Sequence, residues 1–229
     1  MKYFLALFLA CLSLSAEAGS GTNGAILQAN SIGINPSTDT NFWLFVALPS
    51  TYGRTNISHS GFTSYDLFGR MNEVVANAPS SNDTNLIVLL EGGNSIFFGS
   101  NSLQAFNSES NRAYAASTNA NAFVVEIIPW SRKDLDQTLV SDSSETKSNA
   151  LVELQAMMDT NHWTFVKGYV RTHTNALLVW YNNLSNFQSD DIHPSAVGAT
   201  NVIATNVTLG LNAIFQQYAQ PTRYAPFHR

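Results

Sequence analysis

Two runs of mostly apolar residues constrain the fold of this chain more than any other feature. Leu86–Leu90 reads LIVLL and Ala122–Ile128 reads AFVVEII. Runs of this length with apolar side chains on both faces are typical of parallel strands that helices cover on both sides. The first run is followed by Glu91 and two glycines and the second by Pro129, residue types that end strands. We therefore predict a central parallel sheet.

Further segments alternate with these two runs. Ala25–Ala29 predicts another buried strand, and a helix is predicted from about Pro194 to about Tyr218 because proline favours the first helical turn. Helices are also predicted at Asn41–Leu48, Tyr65–Val75 and Ser148–Met158, whereas Ala176–Tyr181 fits either type of element. Strands that alternate with helices predict an α/β fold, a three-layer α/β/α sandwich. The chain has no internal repeat and no domain-sized linker, so we expect one domain over residues 25–229.

The N-terminal segment has the pattern of a secretory signal peptide. A lysine precedes the apolar run Phe4–Leu12, and an A-x-A sequence ends at Ala18. The run is too short to span a membrane, which takes about 20 apolar residues. We predict cleavage after Ala18, a flexible leader over residues 19–24 and a secreted or periplasmic mature protein without a transmembrane segment; an uncut N-terminal anchor is the alternative. Cleavage would also remove Cys11, the only cysteine of the sequence, and with it any cysteine nucleophile.

Composition and missing motifs exclude several functions. Charged residues make up 12% of the chain and its net charge is -5, whereas nucleic-acid-binding domains carry basic surfaces. The sequence contains no G-x-x-x-x-G-K-[ST] phosphate loop, no G-x-G-x-x-G fingerprint, no H-E-x-x-H metal motif and no G-x-S-x-G nucleophile elbow. We therefore expect no metal, no organic cofactor and no nucleic-acid partner.

Four short polar segments could carry chemistry. Asp190 and His193 lie three residues apart before the C-terminal helix, so the carboxylate could orient the imidazole as in a Ser-His-Asp system. Ser31 follows the first predicted strand, at the edge where open α/β sheets bind ligands. Gly61 lies in a polar loop where a glycine lets a backbone N–H approach a substrate, and Asn94 brings a side-chain amide to the end of a strand. Taken singly, each segment also fits a structural turn, cap or strand end.

In this order the segments resemble the four sequence blocks of the SGNH (GDSL-type) hydrolases. Ala29-Asn30-Ser31-Ile32 resembles the first block, Gly-Asp-Ser-[Ile/Leu], and Gly61 within NISHSGFTSYDL resembles the second. Gly92-Gly93-Asn94 resembles the third block, Gly-x-Asn-Asp, and Asp190-Asp191-Ile192-His193-Pro194 resembles the last, Asp-x-x-His-Pro. The resemblance spans about residues 25–211. It implies a flavodoxin-like SGNH hydrolase fold and hydrolysis of a carboxylic ester without a metal or a cofactor.

The resemblance also implies a catalytic triad. Ser31 would be the nucleophile, His193 the general base and Asp190 the acid that orients the imidazole. Asp191 is the second candidate for the acid. Ser50 is a rival nucleophile because LPSTYG resembles the end of the first block, but it leaves no room for the helix that normally separates the first two blocks.

The oxyanion hole implied by the resemblance consists of the backbone N–H groups of Ser31 and Gly61 and the side-chain amide of Asn94. His59, beside the glycine, and Trp130, after a predicted strand, are weaker candidates for lining the substrate site. The substrate class stays open between small-molecule, carbohydrate and lipid esters.

The chain departs from the family pattern at two positions. Asn30 replaces the aspartate of the first block, and Ser95 replaces the last aspartate of the third. Because of these departures, a catalytically inactive SGNH-like binding module is the alternative to a secreted serine esterase. An unrelated secreted α/β protein with chance motifs is a third hypothesis.

Overall fold

A five-stranded parallel sheet forms the centre of the structure. The computed structural model describes residues 23–33, 52–78, 85–119, 122–129, 135, 138–141, 143–171 and 193–219. The strands lie in the order β2-β1-β3-β4-β5. Their bounds are β1 (Asn23–Ala29), β2 (Tyr52–Asn56), β3 (Asn85–Leu90), β4 (Ala122–Ile128) and β5 (Gly168–Arg171). This flavodoxin-like order reverses between β1 and β3, and ligands of such sheets bind beyond the carboxyl ends of the strands at the reversal. The predicted parallel sheet is confirmed.

Helices pack on both faces of the sheet because its strands are apolar on both faces. All six residues of β3 are buried. On one face Leu27, Val88 and Val125 share a cluster with the C-terminal helical residues Ile203, Val207 and Leu211. On the other face Ile26, Ile87 and Val124 share a cluster with the helical residues Val74, Ala113 and Ala116. The predicted three-layer α/β/α sandwich is therefore confirmed.

The helices cover the two faces of the sheet and are numbered in chain order. They are α1 (Ser64–Phe68), α2 (Met71–Asn77), α3 (Gly93–Phe97), α4 (Ser102–Asn119), α5 (Lys147–Thr160), α6 (Ala196–Gly198) and α7 (Thr205–Ala219). A 3-10 turn at Ser31–Gly33 follows β1, and a π-helical segment at Ala199–Ala204 joins α6 to α7. Within the described part of the chain, no helix combines the length and apolar character that crossing a membrane requires.

Two predicted helices have different bounds in the structure, and other predicted segments lie outside the described residues. The helix predicted over Tyr65–Val75 is two short helices, because the backbone leaves helical geometry at Arg70, with φ −105° and ψ 17°, between α1 and α2. The C-terminal helical run begins at Ala196, two residues after Pro194. The predicted segments Asn41–Leu48 and Ala176–Tyr181, and the predicted signal peptide, lie outside the described residues.

Candidate active site

Ser31 lies on a tight turn that directly follows β1. The Gly33 N–H closes this turn by donating to the Asn30 carbonyl oxygen at 3.0 Å. The Asn56 side chain, at the end of β2, donates to the Gly33 carbonyl oxygen at 2.9 Å. A Cβ atom at Gly33 would collide with the Ser58 side chain, so the turn packs this closely on its neighbour only with glycine there. Ser31 is thereby held, half-buried, at the carboxyl edge of the sheet.

The structure brings Ser31 and His193 together. Ser31 Oγ and His193 Nε2 are 2.8 Å apart, although 162 residues separate them in the chain. His193 precedes α6, whose first turn is capped where Ser195 Oγ accepts the Gly198 N–H at 3.1 Å. A hydroxyl within hydrogen-bond distance of an imidazole is the geometry in which the imidazole can remove the hydroxyl proton.

Gly61 lies in an exposed loop between β2 and α1. Its φ of 78° is in the left-handed region that favours glycine, and a Cβ placed there would meet no atom of the described residues within 4 Å. The loop is fixed at its start because the His59 N–H donates to the Ala29 carbonyl oxygen at 2.9 Å. It is fixed at its end because Thr63 caps α1 and its hydroxyl accepts the Asp66 N–H. Open space therefore lies beside a backbone whose position is well defined.

Asn94 is buried in the first turn of α3 and is tied to the Gly61 loop. Its Nδ2 donates to the Phe62 carbonyl oxygen at 3.1 Å. The Ser64 N–H donates to Ser95 Oγ at 3.0 Å, which joins the two segments a second time. The Asn94 amide, to which the sequence assigns an oxyanion role, therefore also holds the Gly61 loop in place.

Glu91, the residue after β3, is a buried carboxylate among these segments, only 1% exposed. Its Oε1 accepts hydrogen bonds from Asn30 Nδ2 at 3.1 Å and from the Asn94 backbone N–H at 2.7 Å. Its Oε2 accepts hydrogen bonds from the hydroxyls of Ser64 at 2.7 Å and Ser95 at 2.6 Å. In the sequence Glu91 marks only the end of a predicted strand. A charged residue directly after the apolar run Leu86–Leu90 is the one sequence signal that points to it.

A second set of buried charges lies behind Glu91. Ser64 Oγ is also 2.6 Å from Glu109 Oε1, and Arg112 Nε donates to Glu109 Oε2 at 3.0 Å. Burial raises the pKa of Glu109 and raises the pKa of Glu126 well above its ordinary value. Ser64 has one hydroxyl proton, so it can donate to only one of the carboxyl groups of Glu91 and Glu109 at a time.

His59 contacts an acidic residue of α2. Its Nε2 lies 2.6 Å from Glu73 Oε2, and its ring stacks on Phe62 with the centroids 4.7 Å apart. The hydrogen bond from His59 is the largest cause of the lowered pKa of Glu73. These contacts hold the Gly61 loop against α2, and the contact of His59 with a substrate stays a prediction.

The remaining predicted residues are not tested by the structure. Asp190, Asp191, Ser50 and Trp130 lie outside the described residues. Among the residues that the structure describes, no three His, Cys, Asp or Glu side chains are grouped to hold a metal ion.

Comparison with solved structures finds this fold among lipases and acylhydrolases. The structure called TesA is 20% identical in sequence, with a TM-score of 0.58 over 83% of this chain and 99% of that one. The lipase/acylhydrolase from Enterococcus faecalis is 15% identical, with a TM-score of 0.61 over 83% and 96% of the two chains. A GDSL-like lipase from Bacteroides thetaiotaomicron is 16% identical, with a TM-score of 0.55 over 93% and 98%.

These likenesses concern the fold. No protein-family model and no curated protein matches the sequence. The chain has the fold of GDSL-type lipases and acylhydrolases, so the fold predicted from the four sequence blocks is confirmed.

Proposed function

We propose that this chain is a secreted serine esterase that hydrolyses a carboxylic ester through Ser31, His193 and Asp190. The observation that carries the proposal is the 2.8 Å distance between Ser31 Oγ and His193 Nε2 at the carboxyl edge of the sheet. The fold supports it, because solved structures of the same fold are named lipase and acylhydrolase. Because fold alone does not define an activity, the proposal rests mainly on the geometry of the Ser31 and His193 side chains.

The reaction proceeds in two half-reactions. His193 removes the Ser31 hydroxyl proton as Oγ attacks the ester carbonyl carbon, and then gives that proton to the departing alcohol. An acyl ester of Ser31 remains. In the second half-reaction His193 deprotonates a water molecule that attacks the acyl carbon, the carboxylic acid leaves and the Ser31 hydroxyl is restored. Asp190 orients the imidazole and stabilises its protonated form.

The oxyanion formed in each half-reaction would be bound by three donors. These are the backbone N–H groups of Ser31 and Gly61 and the side-chain amide of Asn94. The positive φ of Gly61 and the open space beside it support a close approach of substrate to this backbone. One such donor typically contributes about 10²–10³ in rate.

The proposed setting is outside the cytoplasm. Residues 1–18 would act as the signal peptide, and the domain over residues 25–229 would follow a short leader. N-terminal sequencing of the exported protein tests this, and we expect it to begin at Gly19. The substrate would be a small-molecule, carbohydrate or lipid ester.

Hydrolysis of a short-chain nitrophenyl ester tests the proposed activity. We expect Ser31→Ala and His193→Ala each to lower kcat by about 10³ or more, because the serine and the histidine act as one unit. Ser117→Ala, on α4, and His162→Ala, on an exposed turn, are the matched controls, and we expect both to keep the wild-type rate.

Labelling with a fluorophosphonate identifies the reactive serine. We expect the label on Ser31 and unchanged labelling of Ser50→Ala, which tests the rival nucleophile. Hydrolysis that survives Ser31→Ala, or a label on another serine, would refute the proposal. A folded wild type that neither hydrolyses esters nor accepts the label would favour the inactive binding module instead.

A further inference from the structure

One buried carboxylate contacts the segments that carry or adjoin Ser31, Gly61 and Asn94. Glu91 Oε1 is 3.1 Å from the side chain of Asn30, the residue before Ser31, and 2.7 Å from the backbone nitrogen of Asn94. A single oxygen atom therefore joins the nucleophile turn after β1 to the amide residue after β3. These two strands are neighbours in the sheet.

The second carboxylate oxygen, Oε2, contacts the helix that follows the Gly61 loop. Glu91 Oε2 accepts the hydroxyl of Ser64, the first residue of α1, three residues after Gly61. It also accepts the hydroxyl of Ser95, which in turn receives the Ser64 N–H. The loop that carries Gly61 is thus tied to the same carboxylate.

We infer that Glu91 is a positioning residue for ester hydrolysis, which holds the Ser31 turn, the Gly61 loop and Asn94 in one fixed arrangement. This inference rests on the proposed function. Glu91 is not a catalytic residue in the strict sense, because it is buried and its carboxylate oxygens accept hydrogen bonds from protein donors. Its effect on the rate comes through geometry, because a displacement of about 1 Å between reacting groups can cost about 10² in rate.

The two departures from the family pattern fit this role. Asn30 and Ser95 stand where the family blocks carry aspartates, and both donate a hydrogen bond to Glu91. An aspartate at either position would bring a second carboxylate within hydrogen-bond distance of the first, and like charges so close in a buried site disfavour ionisation. Asn30 and Ser95 are therefore neutral donors that suit a buried Glu91 carboxylate, so the two departures from the family pattern do not by themselves indicate lost catalysis.

Steady-state kinetics on the same nitrophenyl ester, with two substitutions of Glu91, test the inference. We expect Glu91→Leu to lower kcat by about 10² while KM changes by less than about threefold, because the donors lose alignment but substrate still binds. Glu91→Gln keeps an oxygen that can accept from Asn30 and Asn94, and we expect it to lower kcat by less than about fivefold. Leu211→Ala, which removes buried apolar volume on the opposite helical layer, is the control for general destabilisation.

Asn30→Ser provides a second, milder variant if Glu91→Leu does not fold. It removes the amide that links the Ser31 turn to Glu91 and leaves the other three partners of the carboxylate in place. We expect kcat to fall about tenfold at nearly constant KM, and the rate of fluorophosphonate labelling of Ser31 to fall in parallel.

The outcomes separate this inference from the proposed function. If Ser31→Ala abolishes hydrolysis and a folded Glu91→Leu or Asn30→Ser keeps kcat within about threefold of wild type, the inference alone is wrong. Equal losses in Glu91→Gln and Glu91→Leu, or in Leu211→Ala, would also overturn it. If Ser31→Ala hydrolyses the ester like wild type, the proposed function fails first.

Discussion

Replacing Glu126 by methionine is expected to stabilise the protein. Glu126 lies in the middle of the sheet on β4 and is 0% exposed. Neither of its carboxyl oxygens has a hydrogen-bond partner among the described residues. An unpaired buried polar group costs about 1–3 kcal/mol, and methionine fills a similar volume without one. We therefore expect Glu126→Met to raise the free energy of unfolding by about 2 kcal/mol at pH 5.

The gain should grow as the pH rises. Burial raises the pKa of Glu126 well above its ordinary value near 4.5, so the native state keeps a proton that the unfolded chain has already released. In that window the free energy of unfolding of the wild type falls by about 1.4 kcal/mol per pH unit for each such proton. Glu109, whose pKa burial also raises, adds a slope of the same sign to both proteins. Because the charge of Glu109 is one cause of the raised pKa of Glu126, the difference between variant and wild type measures Glu126 together with this interaction.

Urea unfolding monitored by circular dichroism at pH 5, 6, 7 and 8 measures this effect. Glu153→Met makes the same substitution on the exposed face of α5 and removes one hydrogen bond, from Ser102 Oγ at 3.3 Å, so we expect it to change the free energy of unfolding by less than about 1 kcal/mol. A Glu126→Met protein that is less stable than wild type at pH 7 would refute the reasoning. So would a stability difference that stays constant from pH 5 to pH 8.

Two further predictions concern the residues around the site. Arg112→Met leaves the buried Glu109 without its ionic partner, and we expect a loss of about 3–5 kcal/mol in urea unfolding; a loss below about 1 kcal/mol would contradict this. Gly33→Ala places a Cβ atom against Ser58 and 2.6 Å from the Ala29 Cβ, so we expect it to displace the Ser31 turn. It should lower kcat by about tenfold and stability by about 1–3 kcal/mol, and unchanged ester hydrolysis would show that the turn tolerates the side chain.

Prediction from sequence succeeded best for the strands that are buried on both faces, because their apolar pattern does not depend on the rest of the fold. β3 and β4 follow from runs that are apolar apart from Glu126, because a strand that is buried on both faces is largely apolar. β2 reads YGRTN and lies at the edge of the sheet, so it needs little apolar character and was not predicted. α4 is an 18-residue helix rich in serine and asparagine, which favour caps and turns over helix interiors. Its stability comes from packing, including the buried pair of Glu109 and Arg112.

By itself, the sequence determined the fold class and the identity of the site candidates. Ser31, Gly61, Asn94 and His193 stand out because motif residues occur in a fixed order along the chain. Tertiary structure alone brings Ser31 and His193 to 2.8 Å, since a contact across 162 residues depends on strand order and not on local pattern. The same holds for Glu91, whose four partners come from three separate segments. Sequence alone does not distinguish a strand-end carboxylate that the fold surrounds with hydrogen-bond donors from any other carboxylate at a strand end.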